Sequence, residues 1–327
     1  MRIAVTGSIA TDHLMTFPGR FGEQLLAGRL DRVSLSFLAD DLEVRRGGVA
    51  ANIAFGLGVL GLRPVLVGAV GADFEPYRVW LKEHGVDTDA VRVSASLHTA
   101  RFVCTTDRDQ NQIATFYAGA MAEARAIDLG EVVARTGRPD LVLVSPDDPE
   151  AMLRHTRACR DLGVPFAADP SQQLARLDGD QVRRLVDGAR YLFTNEYETA
   201  LLLEKTGWTE AEALRRVGAW ITTHGEAGVR IRGEGRAPLA VPAVPVGRVT
   251  DPTGVGDAFR AGFLAATLWG VPERHAAQLG CAVAATVLGH VGTQEYRLGR
   301  DALLDRVRDA YGPAGADALA PHLRGPA

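Results

Sequence analysis

The run Asp251-Pro252-Thr253-Gly254-Val255-Gly256-Asp257 holds the residues of this chain best suited to chemistry. Two glycines let the backbone pass close to an anion. The apolar stretch that follows, Ala258-Phe259-Arg260-Ala261-Gly262-Phe263-Leu264, reads as a helix. A glycine loop opening into a helix aims free N-terminal amides at negative charge. Asp257 stands at the mouth of the same site. A carboxylate beside phosphate-binding amides repels the phosphate it would help to hold. It makes sense as a base that takes a proton from a hydroxyl, which then attacks the phosphorus. A glycine-rich turn capped by aspartate has the same spacing, so the reading depends on the rest of the chain.

Other candidates lie where strands give way to loops or helices. Gly47-Gly48 precedes a predicted helix, and Asn52 falls in its first turn, where an amide can donate to and accept from hydroxyls. Asp12 follows Gly7-Ser8 at the end of the first predicted strand, and a carboxylate there can accept from two sugar hydroxyls. Glu198, in Asn195-Glu196-Tyr197-Glu198, suits a hydrated Mg²⁺. Asn195 and Glu198 fit a helix capping box equally well, and the two readings are compatible. Thr223 and Gly225 follow another strand, where a hydroxyl and open backbone can meet a nucleotide. Phe102 and Phe116 sit on the two arms of a predicted hairpin; facing a cleft they would sandwich a flat ring, facing each other they would form a small core. Gln172 and Gln173 can donate to and accept from a base edge.

The elements that must position these groups alternate. Short apolar runs over 3–6, 65–69, 141–145, 166–168, 191–194 and 220–223 end in Gly, Ser, Asp or Asn, with helical stretches over 49–60, 75–84, 149–162, 181–187, 196–205 and 210–217. This pattern predicts an α/β fold with a doubly wound, mostly parallel sheet, whose ligands bind beyond the carboxyl ends of the strands. Short strands over 229–232, 237–241 and 243–246 and helices over 258–268 and 274–288 complete it. Two segments break the alternation. In 13–46 the strand candidates are 33–38 and 42–46; in 98–118 a hairpin joins 99–105 to 112–117. Together they predict a small β-sheet lid, residues 13–46 and 98–118, on a catalytic domain of 1–12, 47–97 and 119–327. The Gly-, Ala- and Pro-rich tail after Tyr311 is expected to fray.

The whole chain sets bounds. With 327 residues, 46% hydrophobic and 23% charged, it is an ordinary globular protein. A net charge of −4 leaves no basic excess for a nucleic-acid backbone. Cys104, Cys159 and Cys281 lack metal or disulfide spacing and read as buried thiols. No apolar run is long enough to span a membrane, and the first residues read as a strand and not a signal peptide, so a cytoplasmic location is expected.

In order and spacing, Gly47-Gly48 with Asn52, Gly61 and Gly71, Asn195-x-x-Glu198, Thr223-x-Gly225 and Asp251-x-x-Gly254-x-Gly256-Asp257 resemble the ribokinase-like (PfkB) family of sugar and nucleoside kinases, from the first strand to about residue 290. The resemblance implies Asp257 as base, with the amides of Gly254, Val255 and Gly256 on the transferring phosphoryl group. It implies Glu198 acting through Mg²⁺, Asn195, Thr223, Gly225 and Gly256 at ATP, and Asp12, Gly47, Gly48 and Asn52 at the acceptor's hydroxyls. Two departures stand out. Pro252 and Val255 replace the more usual Thr and Ala; Pro252 cannot donate a hydrogen bond, whereas Val255 keeps its amide.

Longer runs, among them Ser34-Leu35-Ser36-Phe37-Leu38, His98-Thr99-Ala100-Arg101-Phe102 and Asp169-Pro170-Ser171-Gln172-Gln173-Leu174, look like the adenosine kinases of actinobacteria. They imply transfer from ATP to the 5′-hydroxyl of adenosine, with Ser8, Ser36, Phe102, Phe116, Gln172 and Gln173 around the nucleoside. A monovalent cation such as K⁺ near Asp251, and a homodimer through the lid, stay open. So do a ribokinase- or fructokinase-type sugar kinase on the same fold and a nucleoside-binding protein that transfers nothing.

Overall fold

Each strand of the main sheet sends alternate side chains to opposite faces, and both faces here are apolar. Ile3 and Val5 pack into one buried core, Ala4 into another; Leu141 and Leu143 oppose Val142 and Val144 in the same way. Such strands are stable only with helices on both sides. The computed structural model describes residues 1–25 and 34–323. Its strands are β1 (Ile3–Thr6), β2 (Ala10–Thr16), β3 (Asp41–Gly47), β4 (Val65–Val67), β5 (Ala69–Val70), β6 (Arg92–Val93), β7 (Ala100–Thr106), β8 (Gln112–Tyr117), β9 (Leu141–Val144), β10 (Phe166–Ala168), β11 (Tyr191–Asn195), β12 (Ala219–Thr223), β13 (Val229–Arg232) and β14 (Leu239–Val241).

Eight strands form the main sheet in the order β14-β13-β12-β11-β10-β9-β1-β4. The six from β12 to β4 pair in parallel, and β13 pairs antiparallel with both its neighbours. One core packs helices Val49–Val59, Val255–Leu268 and Glu273–Leu288 against the sheet; the other packs Pro149–Asp161 and Gly179–Val186 on the opposite face. Helices Val255–Leu268 and Glu273–Leu288 cross where Gly262 meets Gly280. A side-chain carbon on Gly262 would stand 2.8 Å from the Gly280 Cα, so this approach fixes the helix that carries Asp257.

A second sheet has the order β3-β2-β7-β8. The hairpin expected over 99–105 and 112–117 is β7 and β8. In the other half the strand expected over 42–46 is β3, and the rest differs from the reading of the sequence. Strand β2 begins at Ala10, so residues 10–12 lie in the small sheet, and 34–39 carry no strand; Val33 lies outside the described residues. The sequence Ala-Thr-Asp-His-Leu-Met-Thr hides β2 because both its faces are only half-buried, which leaves no apolar alternation to find. Residues 243–246 are no strand either, since Pro242 and Pro245 remove ladder donors. After Tyr311 the chain folds as a helix, Pro313–Leu319, with Ala316 and Leu319 buried; proline at its start and small residues on its inner face make the packing possible. All three cysteines are free and buried. Among the described residues no helix is long and apolar enough to cross a membrane.

Candidate active site

The glycine loop ends at Gly254, which caps the helix with φ +74°. An added side-chain carbon there would also stand 2.7 Å from Thr293 Cγ2, so the position needs glycine for its conformation and its space. The helix starts at Val255, earlier than the predicted 258, which puts Asp257 in the first turn. The Val255 amide lies 3.4 Å from the Pro252 carbonyl, a weak contact. Among the described residues the amides of Gly254, Gly256 and Asp257 have no acceptor. The loop therefore presents the open donor cluster expected of an anion site.

Asp257 is held from across the fold. Asn52 Nδ2 donates to its Oδ2 at 2.9 Å. The Asn52 amide has one orientation available, because its Oδ1 accepts from Thr293 Oγ1 (2.9 Å) and Gln294 Nε2 (3.0 Å). Gln294 is fixed in turn by Tyr77 Oη and by Trp80 Nε1, which donates to Gln294 Oε1 at 3.1 Å. Burial raises the Asp257 carboxyl to about 6, against the opposing pull of Arg260 and the Asn52 hydrogen bond. A base poised there is ionised at neutral pH and still able to accept a proton.

Two cavities meet at Asp257. The first, about 390 Å³, is lined by Ser8, Asp12, Gly48, Asn52, Phe102, Phe116, Gln172 and Gln173 together with Gly254 and Asp257. The second, about 580 Å³, is lined by Asn195, Glu198, Thr223, Gly225, Gly256 and Arg260, and again by Gly254 and Asp257. An apolar slot continues from the second cavity past Thr223 and Gly225, with Val229, Val244, Ala284 and Leu288 on its walls. All three lie at the carboxyl ends of the parallel strands, as the fold requires. A larger cavity of about 830 Å³, lined by Arg2, Arg63, Trp269 and His322, shares none of these residues.

In the first cavity Asp12, Phe102 and Phe116 are neighbours across β2, β7 and β8. The two rings therefore lie side by side on one face. They form a shelf, not the sandwich the sequence suggested, because cross-strand partners stand only about 5 Å apart at Cβ, which leaves no room for a flat ring between them. Phe116 is 51% exposed, so it is not packed in a core of the small sheet. Burial raises the Asp12 carboxyl to about 6, with Arg45 opposing. Gln173 Nε2 is tied to the Asp147 carbonyl at 2.7 Å, whereas Gln172 is exposed.

Several sequence expectations need correction. Ser36 is exposed on the irregular stretch 34–39 and is not among the residues that line the cavity. Gly47 does not line it either; its carbonyl accepts from Tyr77 Oη at 3.0 Å. The helix start after Gly48 is not open to a ligand, since Ser8 supplies its acceptors: Oγ to the Val49 amide at 3.0 Å, and the carbonyl to Ala50 at 3.2 Å. Gly48 is needed for that approach, because an added carbon would fall 2.6 Å from the Ser8 carbonyl oxygen. Asn195 and Glu198 do form a capping box, with Glu198 Oε2 accepting from the Asn195 amide at 2.8 Å. The other Glu198 oxygen has no partner among the described residues and fits a hydrated Mg²⁺. The Asp251 carboxylate is engaged by the amides of Thr253 (2.9 Å) and Gly292 (3.0 Å). Sequence reasoning missed Thr293, Gln294 and the apolar slot. Nothing in their local spacing marks them, since they reach the site from distant helices and loops.

The chain matches the pfkB family of carbohydrate kinases over residues 8–298. A nucleoside kinase of Methanothermobacter thermautotrophicus is 33% identical over 252 residues, 76% of this chain and 80% of that protein. The structure of Burkholderia thailandensis nucleoside kinase in complex with inosine aligns with a TM-score of 0.82 at 38% identity, covering 95% of this chain and 98% of its own. The same kinase in complex with ADP-inosine aligns at 0.81, covering 95% and 96%. Methanocaldococcus jannaschii nucleoside kinase, an archaeal member of the ribokinase family, aligns at 0.82 with 25% identity, covering 94% and 98%.

Proposed function

The chain belongs to the pfkB family of carbohydrate kinases and has a ribokinase-like α/β fold, and from that premise we propose that it is an adenosine kinase, passing the γ-phosphate of ATP to the 5′-hydroxyl of adenosine to give AMP and ADP. The observation that carries this reading is the place of Asp257, on the boundary shared by two cavities and beside the unpaired amides of Gly254 and Gly256. One cavity suits the acceptor and the other the nucleotide.

In this mechanism the acceptor's ribose lies against Asp12 and Asn52, and its base lies on the Phe102–Phe116 shelf. Asn52 has one amide hydrogen left for a hydroxyl after serving Asp257. ATP lies across Thr223, Gly225 and Asn195, with its base in the apolar slot and its phosphates at the loop amides. Asp257 takes the hydroxyl proton as the oxygen approaches phosphorus, and the amides of Gly254, Val255 and Gly256 meet the charge on the transferring group. Mg²⁺, when bound, would neutralise phosphate charge, and Glu198 would hold it through water. The small sheet acts as the lid that keeps water from the transfer.

The shelf favours a nucleoside over a free sugar, because a sugar has no flat face to stack. The resemblance of the runs around Ser8, Phe102 and Gln172 to adenosine kinases supports adenosine among nucleosides. The homodimer belongs to the same proposal: the face of the small sheet opposite Phe102 exposes Leu42, Val44 and Ile113. ADP release measured with adenosine, inosine, guanosine, ribose, fructose and fructose 6-phosphate tests the reading. Adenosine is expected to be the best acceptor. Preference for a free sugar would make this a sugar kinase, and binding of adenosine without turnover would make it a nucleoside-binding protein.

A further inference from the structure

Arg260 is a buried cation whose partner leaves part of it free. Its Nη2 donates to Asp169 Oδ1 at 2.6 Å, its Nε stands 2.6 Å from Oδ2 as an ion pair, and the Asp169 side chain is fully enclosed. The third nitrogen, Nη1, makes no hydrogen bond among the described residues. Its position is set by an absence: a side-chain carbon on Gly256 would stand 2.8 Å from Nη1. The second glycine of the loop thus leaves room for this guanidinium, in addition to letting the backbone approach an anion.

The charge balance of the nucleotide cavity gives Nη1 a purpose. Its wall carries three carboxylates, Glu196, Glu198 and Asp257, and Arg260 is the one cationic side chain on it among the described residues. A triphosphate beside those carboxylates meets repulsion that neutral amides only partly offset. A guanidinium held rigid by a buried carboxylate loses little entropy on meeting a phosphoryl oxygen, and its planar fork suits the task.

We infer that Arg260 is a catalytic residue of the transfer proposed above, its Nη1 donating to an oxygen of the migrating phosphoryl group. The acceptor hydroxyl gives its proton to Asp257 and its oxygen bonds to the γ-phosphorus. The bond from that phosphorus to the β–γ bridging oxygen breaks, and the electron pair leaves on ADP. Arg260 meets the charge that builds on the equatorial oxygens during this exchange. The same cation acts on the base: it pulls the Asp257 carboxyl down against the effect of burial.

The inference rests on the kinase reading, and the experiment separates the two. Arg260→Met is made together with Asp169→Asn, so that neither member of the pair is left charged and alone. Thermal unfolding checks the fold, steady-state kinetics with ATP and adenosine read turnover, and calorimetry reads affinity for ADP with aluminium fluoride. The expected result is a kcat lower by about 100-fold or more, an adenosine KM within about threefold of the parent's and a parallel loss of aluminium fluoride affinity. The acid limb of the pH profile also moves to higher pH. A folded double variant with the parent's kcat overturns the role of Arg260 and leaves the kinase reading intact. A parent protein that transfers phosphate to no nucleoside overturns the reading itself. Should the double variant not fold, Arg260→Lys decides: a kcat drop of about tenfold or more at unchanged adenosine affinity supports the inference, and unchanged kcat overturns it.

Discussion

Asn52 and Asp257, 205 residues apart in sequence, meet at 2.9 Å, with the Asn52 amide turned so that only its nitrogen can face the carboxylate. The first predicted helix of the chain thereby orients a side chain on one of the last.

Replacing Asn52 by Asp sets a second carboxylate against Asp257. Like charges at this distance raise one of the two carboxyls, so the acid limb of kcat/KM is expected to move up by about one pH unit or more. Asn52→Ala loses the hydrogen bond without adding charge and gives a smaller shift in the same direction. A pH–rate profile from 5 to 9 checks both; an unmoved limb for Asn52→Asp means the contact does not act on the base.

Asp257→Asn is expected to lower kcat by about 10³-fold or more while nucleoside binding, followed by calorimetry, persists. It should also stabilise the protein near neutral pH. The carboxyl is raised from 3.8 to about 6 in the folded state. Its contribution to stability is therefore full below pH 4 and is lost as pH rises through 6. Asparagine removes that loss and adds on the order of 1 kcal/mol at pH 7.5. Below pH 6 the parent should lose activity while this group's contribution to stability returns. Thermal unfolding at pH 5 and 7.5 for both proteins reads the difference.

Phe102→Ala and Phe116→Ala remove the shelf proposed to carry the nucleoside's base. Stacking of a base on an aromatic ring is worth about 1–3 kcal/mol, so each change should raise the adenosine KM by about 5- to 150-fold. The KM for a free sugar, where turnover is measurable, should not move. Equal effects on both acceptors would argue that the rings shape the small sheet and do not meet the base.

Gly254→Ala forces a left-handed residue and a clash with Thr293 Cγ2. A stability loss of about 1–3 kcal/mol is expected, with kcat falling further than KM changes because the amide cluster shifts. Pairing it with Thr293→Ser removes the clashing methyl and keeps the hydroxyl that serves Asn52. Chemical denaturation should show part of the stability returned.

The order of apolar runs and strand-end polar residues determined the doubly wound sheet, because burial on two faces and ligand binding at one edge leave local marks in the chain. The same holds for the shared place of Gly254, Gly256 and Asp257 at the cavities, which follows from seven consecutive residues. Pairing across distance left no such mark. The partner of Asp257, the capping by Ser8 of the helix that follows Gly48, the shelf in place of a sandwich, and the room Gly256 leaves for Arg260 were all decided by tertiary structure. Each is a contact between segments whose approach only the packed sheet and helices fix. Ser36 does not line the cavity for the same reason: a residue's type and neighbours carry no information about where an irregular segment runs.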